Sequence, residues 1–399
     1  MVISFFVSAY VVRYLGPENY GSLSYASSYT NLFLFISVFG IDLILYRNLA
    51  SNPERQNELL GTSFVLRLIG GAAAIAIALF STVFFHNSRV INILIALISV
   101  SFIFQSFSIV ACYFQAKVKS KYITISSLAG AIILSFAKLL VIRFDKGILY
   151  FGAIVLLEPV IYALFYLYFF KKEKQNISSW RFDKQTARSL LKDSWPLAFT
   201  SAFTFIYSKI DQIIIKQMID VASVGLYDAA VRLAEIWYFL PAIILSSILP
   251  AIINSKKVSE ELYRARWKKI YFFMIWSSLA IALPITFFAK HIILLLYGHN
   301  YLASIAVLQI YVWSGVFIFL ITAVNQYLII ENLSKLLLYG SLLSMTANII
   351  LNLLLIPRLG IIGASLATLL SYGLTFLPIF ISRKTRWQFK FILKSILLR

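Results

Sequence analysis

Charge is scarce in this 399-residue chain: Asp, Glu, Lys and Arg make up 13% of it, against 60% hydrophobic residues. A soluble domain carries roughly twice that share of charge, and apolar stretches here recur along nearly the whole length. No segment is left for a separate soluble domain or a conventional enzyme core. Cysteine is almost absent, and the lone Cys112 excludes an internal disulfide and any cysteine-based metal or redox site. The three histidines, His86, His291 and His299, lack metal-ligand spacing. No Walker sequence offers an ATP engine. Regular alternation of apolar and polar residues is missing too: Gly70 to Phe85 is apolar on all faces, which excludes a β-barrel. A small-residue cleavage site is also lacking, because Arg13-Tyr14-Leu15-Gly16-Pro17 follows the apolar opening.

What remains is an all-α membrane protein. Interruptions at Gly, Pro, Asn and charge clusters place spans at 1–13, 22–46, 62–85, 90–112, 123–142, 148–170, 195–217, 226–250, 270–289, 303–325, 336–356 and 361–382, twelve in all. The first, at 1.5 Å per residue, reaches only about 20 Å of a hydrocarbon core of about 30 Å, so a truncated first helix is expected. Thirty-six Lys and Arg against sixteen Asp and Glu would point a soluble domain toward nucleic acid. Here most basic residues occupy short loops beside spans. Alternate loops hold 25 and 6 of them, and the richer set, including 171–194, 256–269 and the tail after Ser382, is expected in the cytoplasm with both termini.

The longest polar stretch, 171–194, divides the chain into an N-terminal six-helix bundle, 1–170, and a C-terminal one, 195–399, with a basic cytoplasmic tail. It reads as a cytoplasmic linker, or as a surface helix anchored by Trp180. Gly21-Ser22-Leu23-Ser24-Tyr25-Ala26-Ser27 and Gly225-Leu226-Tyr227-Asp228-Ala229-Ala230-Val231 lie 204 residues apart in sequence, each near the start of a second span. Two parallel repeats around a central cavity are therefore expected.

Charged residues inside spans need a cavity, a partner or a proton, since each costs about 2.5–3.5 kcal/mol at a span centre. Five basic residues lie within spans. Arg67 and Lys138 are close enough to span ends to snorkel, and Lys216 reads as an interface lysine. Lys209 and Asp211 sit deep in the seventh span, two apart and so on different faces. Glu158 directly precedes Pro159 in mid-span, where the missing N–H opens polar backbone and the carboxyl can serve as a protonation switch. Asp228, Arg232 and Glu235 fall at i, i+4 and i+7, a charged stripe expected to line the cavity. Asp42 and Arg47 close the second span as gate or topology residues. Arg47, Arg67, Lys138, Lys209 and Arg232 form the expected cationic substrate-binding set, with Asp42, Glu158, Asp211, Asp228 and Glu235 as coupling or gating carboxylates. The competing reading for each is a structural ion pair. Gln105, Asn348 and Asn352 are further expected cavity-lining residues.

Five segments in order carry a family resemblance: Arg13-Tyr14-Leu15-Gly16-Pro17-Glu18-Asn19-Tyr20-Gly21; Gly40-Ile41-Asp42 through Arg47; Ile210-Asp211-Gln212-Ile213-Ile214 with Gly225-Leu226-Tyr227; Leu296-Tyr297-Gly298 before Tyr301; and Ile356-Pro357 with Gly360 and Gly363-Ala364. Together they resemble the polysaccharide-synthesis branch of the multidrug/oligosaccharidyl-lipid/polysaccharide exporter superfamily, the Wzx-type O-antigen flippases. The resemblance implies a non-enzymatic transporter in the bacterial inner membrane. It would move an undecaprenyl-pyrophosphate-linked oligosaccharide, such as a lipopolysaccharide repeat unit, between leaflets by alternating access. No cofactor is implied; without an ATP engine the drive is an ion gradient such as protons or sodium, the substrate gradient, or a partner. The implied partners are the lipid-linked oligosaccharide, membrane lipids, a polysaccharide polymerase and chain-length proteins, with no nucleic acid. A drug or organic-cation antiporter of the same superfamily is the alternative, disfavoured by a cavity richer in cations than carboxylates. A membrane polymerase is the other, disfavoured by the lack of a large outer loop.

Overall fold

The computed structural model describes residues 2–331, 333–382, 385–388 and 391, and among them every regular element is helical. In chain order the helices are α1 (Val2–Asn31), α2 (Leu34–Val38), α3 (Ile41–Ser51), α4 (Gln56–Ser81), α5 (Arg89–Ser99), α6 (Ser101–Gln105), α7 (Ile109–Ala116), α8 (Lys121–Arg143) and α9 (Ile148–Lys172). Then come α10 (Lys184–Met218), α11 (Val221–Glu235), α12 (Leu240–Val258), α13 (Glu260–Leu296), α14 (Ser304–Tyr311), α15 (Ser314–Ile330), α16 (Ser334–Leu359), α17 (Ile361–Leu374) and α18 (Leu377–Ile381).

Ten stretches of the described residues are long and apolar enough to cross a membrane. The first, Ile3–Ser51, is 49 residues long. As one continuous helix it would measure about 73 Å, more than twice the hydrocarbon core, so it accounts for two expected spans. Its helices meet at Gly16 (φ 70°), with Pro17 opening the second, so the polar residues around the Gly-Pro step are helical rather than a loop. α10, which holds the expected seventh span, is not one of the ten, and with it the chain has about twelve spanning segments.

Several expected loops are helix ends. The six basic residues of 256–269 lie on α12 and α13, which are separated by Ser259 alone; its side chain caps α13 by accepting from the Leu262 N–H. Long helices can project past the bilayer because their basic side chains are solvated there. Of the expected basic tail, Arg386 lies among the described residues, whereas Arg383, Lys384, Lys390, Lys394 and Arg399 fall outside them.

The chain forms two compact units, Met1–Ile213 and Ile214–Arg399. The first has a core built on Leu45, Leu60, Ile109, Phe114, Tyr122 and Phe170. The second is built on Trp267, Tyr271, Met274, Phe319, Val324 and Tyr327. Outward faces carry large apolar side chains such as Phe80, Phe136 and Phe287, which lipid covers without penalty.

Segment 173–183 is tied down on the first unit. Trp180 packs its ring against Phe64 and Phe170, at centroid distances of 5.3 and 5.9 Å. The Arg181 N–H donates to the Asn57 carbonyl (3.2 Å), and the Asp183 N–H to the Thr62 hydroxyl (3.0 Å). Lys119 and Tyr122 both donate to Glu173. Gly61 permits this approach, since a Cβ there would stand 2.5 Å from the Arg181 nitrogen. In the second unit Trp387 does the same, its ring 5.5 Å from Tyr327 with the Arg264 guanidinium over it, while Tyr271 donates to Gln388 (2.9 Å).

Gly61→Val should lower the unfolding free energy by about 1–3 kcal/mol through overpacking, read as a lower melting temperature in detergent and faster tryptic cleavage at Lys174 and Arg181. The segment is also pH-sensitive. The hydrogen bonds from Lys119 and Tyr122 hold Glu173 below the usual carboxylate range, and those from the Thr186 amide and hydroxyl do the same for Asp183. Lowered folded values mean that this stabilisation is complete above the unfolded carboxylate pKa and is lost as pH falls through the folded ones. Pepsin should therefore begin to cut within 173–183 only below about pH 4.

Candidate functional site

The deepest charge in the first unit is Arg67, on α4, with 2% of its surface exposed. One terminal nitrogen is paired with the Asp42 carboxylate; the other donates to the Ser108 hydroxyl and to the Gln105 carbonyl (3.2 Å). Two helix interruptions supply these acceptors. α6 ends at Gln105 and a 3-10 turn, Ser106–Ser108, follows, with the Ile109 N–H turning to Phe107, so the Gln105 carbonyl is open to a side-chain donor. α3 begins after Phe39 and Gly40, both left-handed (φ 46° and 66°), which puts Asp42 in a first helical turn. A Cβ on Gly40 would also stand 2.8 Å from the Ala198 nitrogen, so close passage of α10 requires glycine there as well. The Cys112 thiol donates to the same Asp42 oxygen at 3.6 Å.

A second polar cluster joins α1 and α10. The Gln212 side-chain oxygen accepts from Ser24 (2.9 Å) and Ser28 (2.6 Å), all three being buried. Asp211 beside it is 3% exposed and accepts from the Gln212 N–H at 2.8 Å. In the second unit Asp228, on α11, is buried and accepts from Arg232 (2.9 Å), whose side chain is 53% exposed. Glu235 accepts from the Tyr311 hydroxyl (2.9 Å), and Tyr297 and Ser304 donate to the carbonyls of Ala229 and Leu226.

Several sequence expectations are thereby revised. Arg67, expected to face a cargo, is buried with Asp42 beside it as counter-ion, and the Asp42 side chain is itself 47% exposed. The stripe on α11 does not lie open along its length, since Asp228 turns into the packing with Tyr297 and Tyr301 while Arg232 points out. Asn348 and Asn352 do not line a cavity: both are at 0% exposure, bonded to each other and to Ser371 between α16 and α17. Arg47 is exposed and paired with Asp193 (3.2 Å). Glu158 is exposed and accepts from Tyr162 of its own helix at 3.3 Å. Lys138 and Lys209 are half-buried, and among the described residues no hydrogen bond or ion pair holds the Lys209 ammonium. Gln212, Ser24, Ser28, Ser108 and Tyr311 escaped sequence reasoning. The i, i+4 spacing of Ser24 and Ser28 and the place of Gln212 beside Asp211 were the available signals.

Helical bundles with interrupted spans and polar groups at the breaks define a membrane-transporter fold, and the comparisons agree. The structure of lipid II flippase MurJ in an inward closed conformation matches with a TM-score of 0.73 and 18% identity, over 100% of this chain and 90% of that one. An inward-facing multidrug resistance MATE family transporter of the MOP superfamily matches with 0.70 and 13%, over 98% and 94%. In sequence, the family model described as "Polysaccharide biosynthesis protein" matches residues 1–256, and the chain belongs to that family. The probable flippase AglR of Haloferax volcanii is 31% identical over 174 residues, which is 42% of this chain and 36% of that protein.

Gln212→Leu should cost about 1–3 kcal/mol, because two buried hydroxyls lose their acceptor. Adding Ser24→Ala and Ser28→Ala should restore most of it. Thermal unfolding of the three purified variants checks both statements.

Proposed function

We propose that this protein is a flippase for an oligosaccharide carried on a polyprenyl pyrophosphate. The observation that carries the reading is Arg232: an exposed guanidinium, anchored through a buried Asp228, twelve residues into the apolar stretch Val221–Val258. At about 18 Å along that helix, its half-exposed guanidinium is placed to meet water or a polar cargo in addition to the protein groups that hold it. A pyrophosphate is such a cargo, because a guanidinium gives it two parallel charge-assisted bonds. In the first unit, Lys209, Lys138 and Arg47 are the cations we assign to the same class of cargo. Glu158 and Asp211 are the carboxylates we assign to coupling with a proton or sodium ion.

Family membership and the MurJ-like and MATE-like fold support a transporter of lipid-linked sugars. The finer reading is an undecaprenyl carrier bearing a surface-polysaccharide unit such as O-antigen. It places the protein in a bacterial cytoplasmic membrane with cytoplasmic termini, two six-helix bundles joined by 171–194, and a polymerase and chain-length proteins downstream.

The test is reconstitution into liposomes loaded with a polyprenyl-pyrophosphate oligosaccharide, with a sugar-modifying enzyme added outside. Protein-dependent accessibility is expected. It should fall about tenfold or more in Lys209→Ala and in Arg232→Ala, the loss of one charge-assisted contact each, with folding verified by gel filtration. Accessibility unchanged by wild-type protein would overturn the reading and favour organic-cation export instead.

A further inference from the structure

The second unit carries a groove that the charged residues above do not use. It lies between α12 and α13, encloses about 310 Å³, and is lined by Ile244, Ile248, Lys269, Ile270, Phe273 and Met274 with wholly apolar walls. Ile270 and Met274 are buried and form its floor, while Phe273, 53% exposed, stands as an outer wall. Lys269 contributes its methylene stem, leaving the ammonium to snorkel past the rim. Among the described residues no carboxylate or hydrogen-bond acceptor pairs with that ammonium.

The groove has a closed end and an open one. One turn before Lys269 on the same face of α13, Arg266 reaches across and donates to the Ala251 carbonyl of α12. Arg264 and Lys268, on the other face, lie over the rings of Trp387 and Phe391. Lys269 is thus the basic residue that lines the groove, while Arg266 is bonded to the α12 backbone. Lys269 immediately precedes the apolar stretch of α13, where a membrane interface falls.

We propose that this groove holds the chain of a polyprenyl-phosphate lipid, with the phosphate at Lys269. A volume of about 310 Å³ is a short stretch of a hydrocarbon chain, not a whole lipid. The branched Ile244, Ile248 and Ile270 side chains form ridges that interdigitate with the methyl branches of a prenyl chain. An unpaired ammonium at the rim complements a phosphate and repels a cationic headgroup. The choice of a prenyl chain rests on the flippase reading; the groove and its charge do not. The site holds the carrier with its chain in the groove and its phosphate at Lys269, apart from the cations assigned to transport.

The probe is a diazirine-bearing polyprenyl monophosphate without sugars, photolysed with the full-length purified protein. Cross-links are expected on peptides containing 244–248 and 270–274. Labelling should fall about tenfold in Lys269→Gln, the loss of one charge-assisted contact, and be abolished in Ile248→Trp, which fills the slot. Phosphatidylglycerol in large excess should compete poorly. Labelling unmoved by Lys269→Gln, an exposed change that leaves folding intact, overturns the proposal. Equal competition by phosphatidylglycerol overturns it too, and makes the groove a general anionic-lipid site. Because this readout needs no transport, predicted labelling without flipping would sink the function and keep the site, and flipping without labelling would sink the site alone.

Discussion

A guanidinium enclosed in a membrane bundle has to find its counter-charge and acceptors inside the protein, and Arg67 does so at the cost of two regular helices. An unpaired charge at that depth costs about 2.5–3.5 kcal/mol on insertion scales. The chain meets this constraint by starting α3 at a left-handed Phe39-Gly40 pair, which delivers Asp42, and by tightening α6 into a 3-10 turn, which delivers the Gln105 carbonyl and Ser108. The aromatic core around Tyr113, Phe114 and Phe170 then closes over the ends of these short helices.

The second half of the chain repeats the interruptions, with no buried cation among its described residues. Its second spanning segment is divided between α11 and α12 and its fourth between α14 and α15, as the corresponding segments of the first half are divided at α1–α3 and α5–α7. Within α11 two main-chain carbonyls take a neutral side-chain donor as well: Tyr297 reaches Ala229 and Ser304 reaches Leu226. Each half then ends its sixth segment with a tryptophan, Trp180 or Trp387, turned back onto an aromatic cluster. The same helical plan therefore carries a charge clamp in one half and tyrosine hydroxyls in the other, with Arg232 half-exposed on α11.

Helix type and approximate number were legible in the sequence because all-apolar runs of about twenty residues have few other folds open to them. Boundaries near Gly16 and 256–269 were not, since polar residues in a membrane protein mark the water interface whether they sit in loops or on projecting helices. The pairing of Arg67 with Asp42 could not be read either: the partners are 25 residues apart and meet only once two helix breaks are formed. Arg232 and Asp228, four apart, were legible as a pair, but not that one is buried and the other exposed. Lys209 is half-buried and Asp211 buried, a difference that neighbours two apart on a helix can show.

In this account substrate-facing charge and structural charge are separate populations, and Arg67 belongs to the second. A double-mutant cycle tests that assignment directly, with unfolding free energies measured for Arg67→Met, Asp42→Leu and the double variant in the same detergent. The account predicts a coupling energy of about 2–3 kcal/mol, with the double variant more stable than either single one. Additive costs with no coupling would contradict it, and would return Arg67 to the cargo-facing cations.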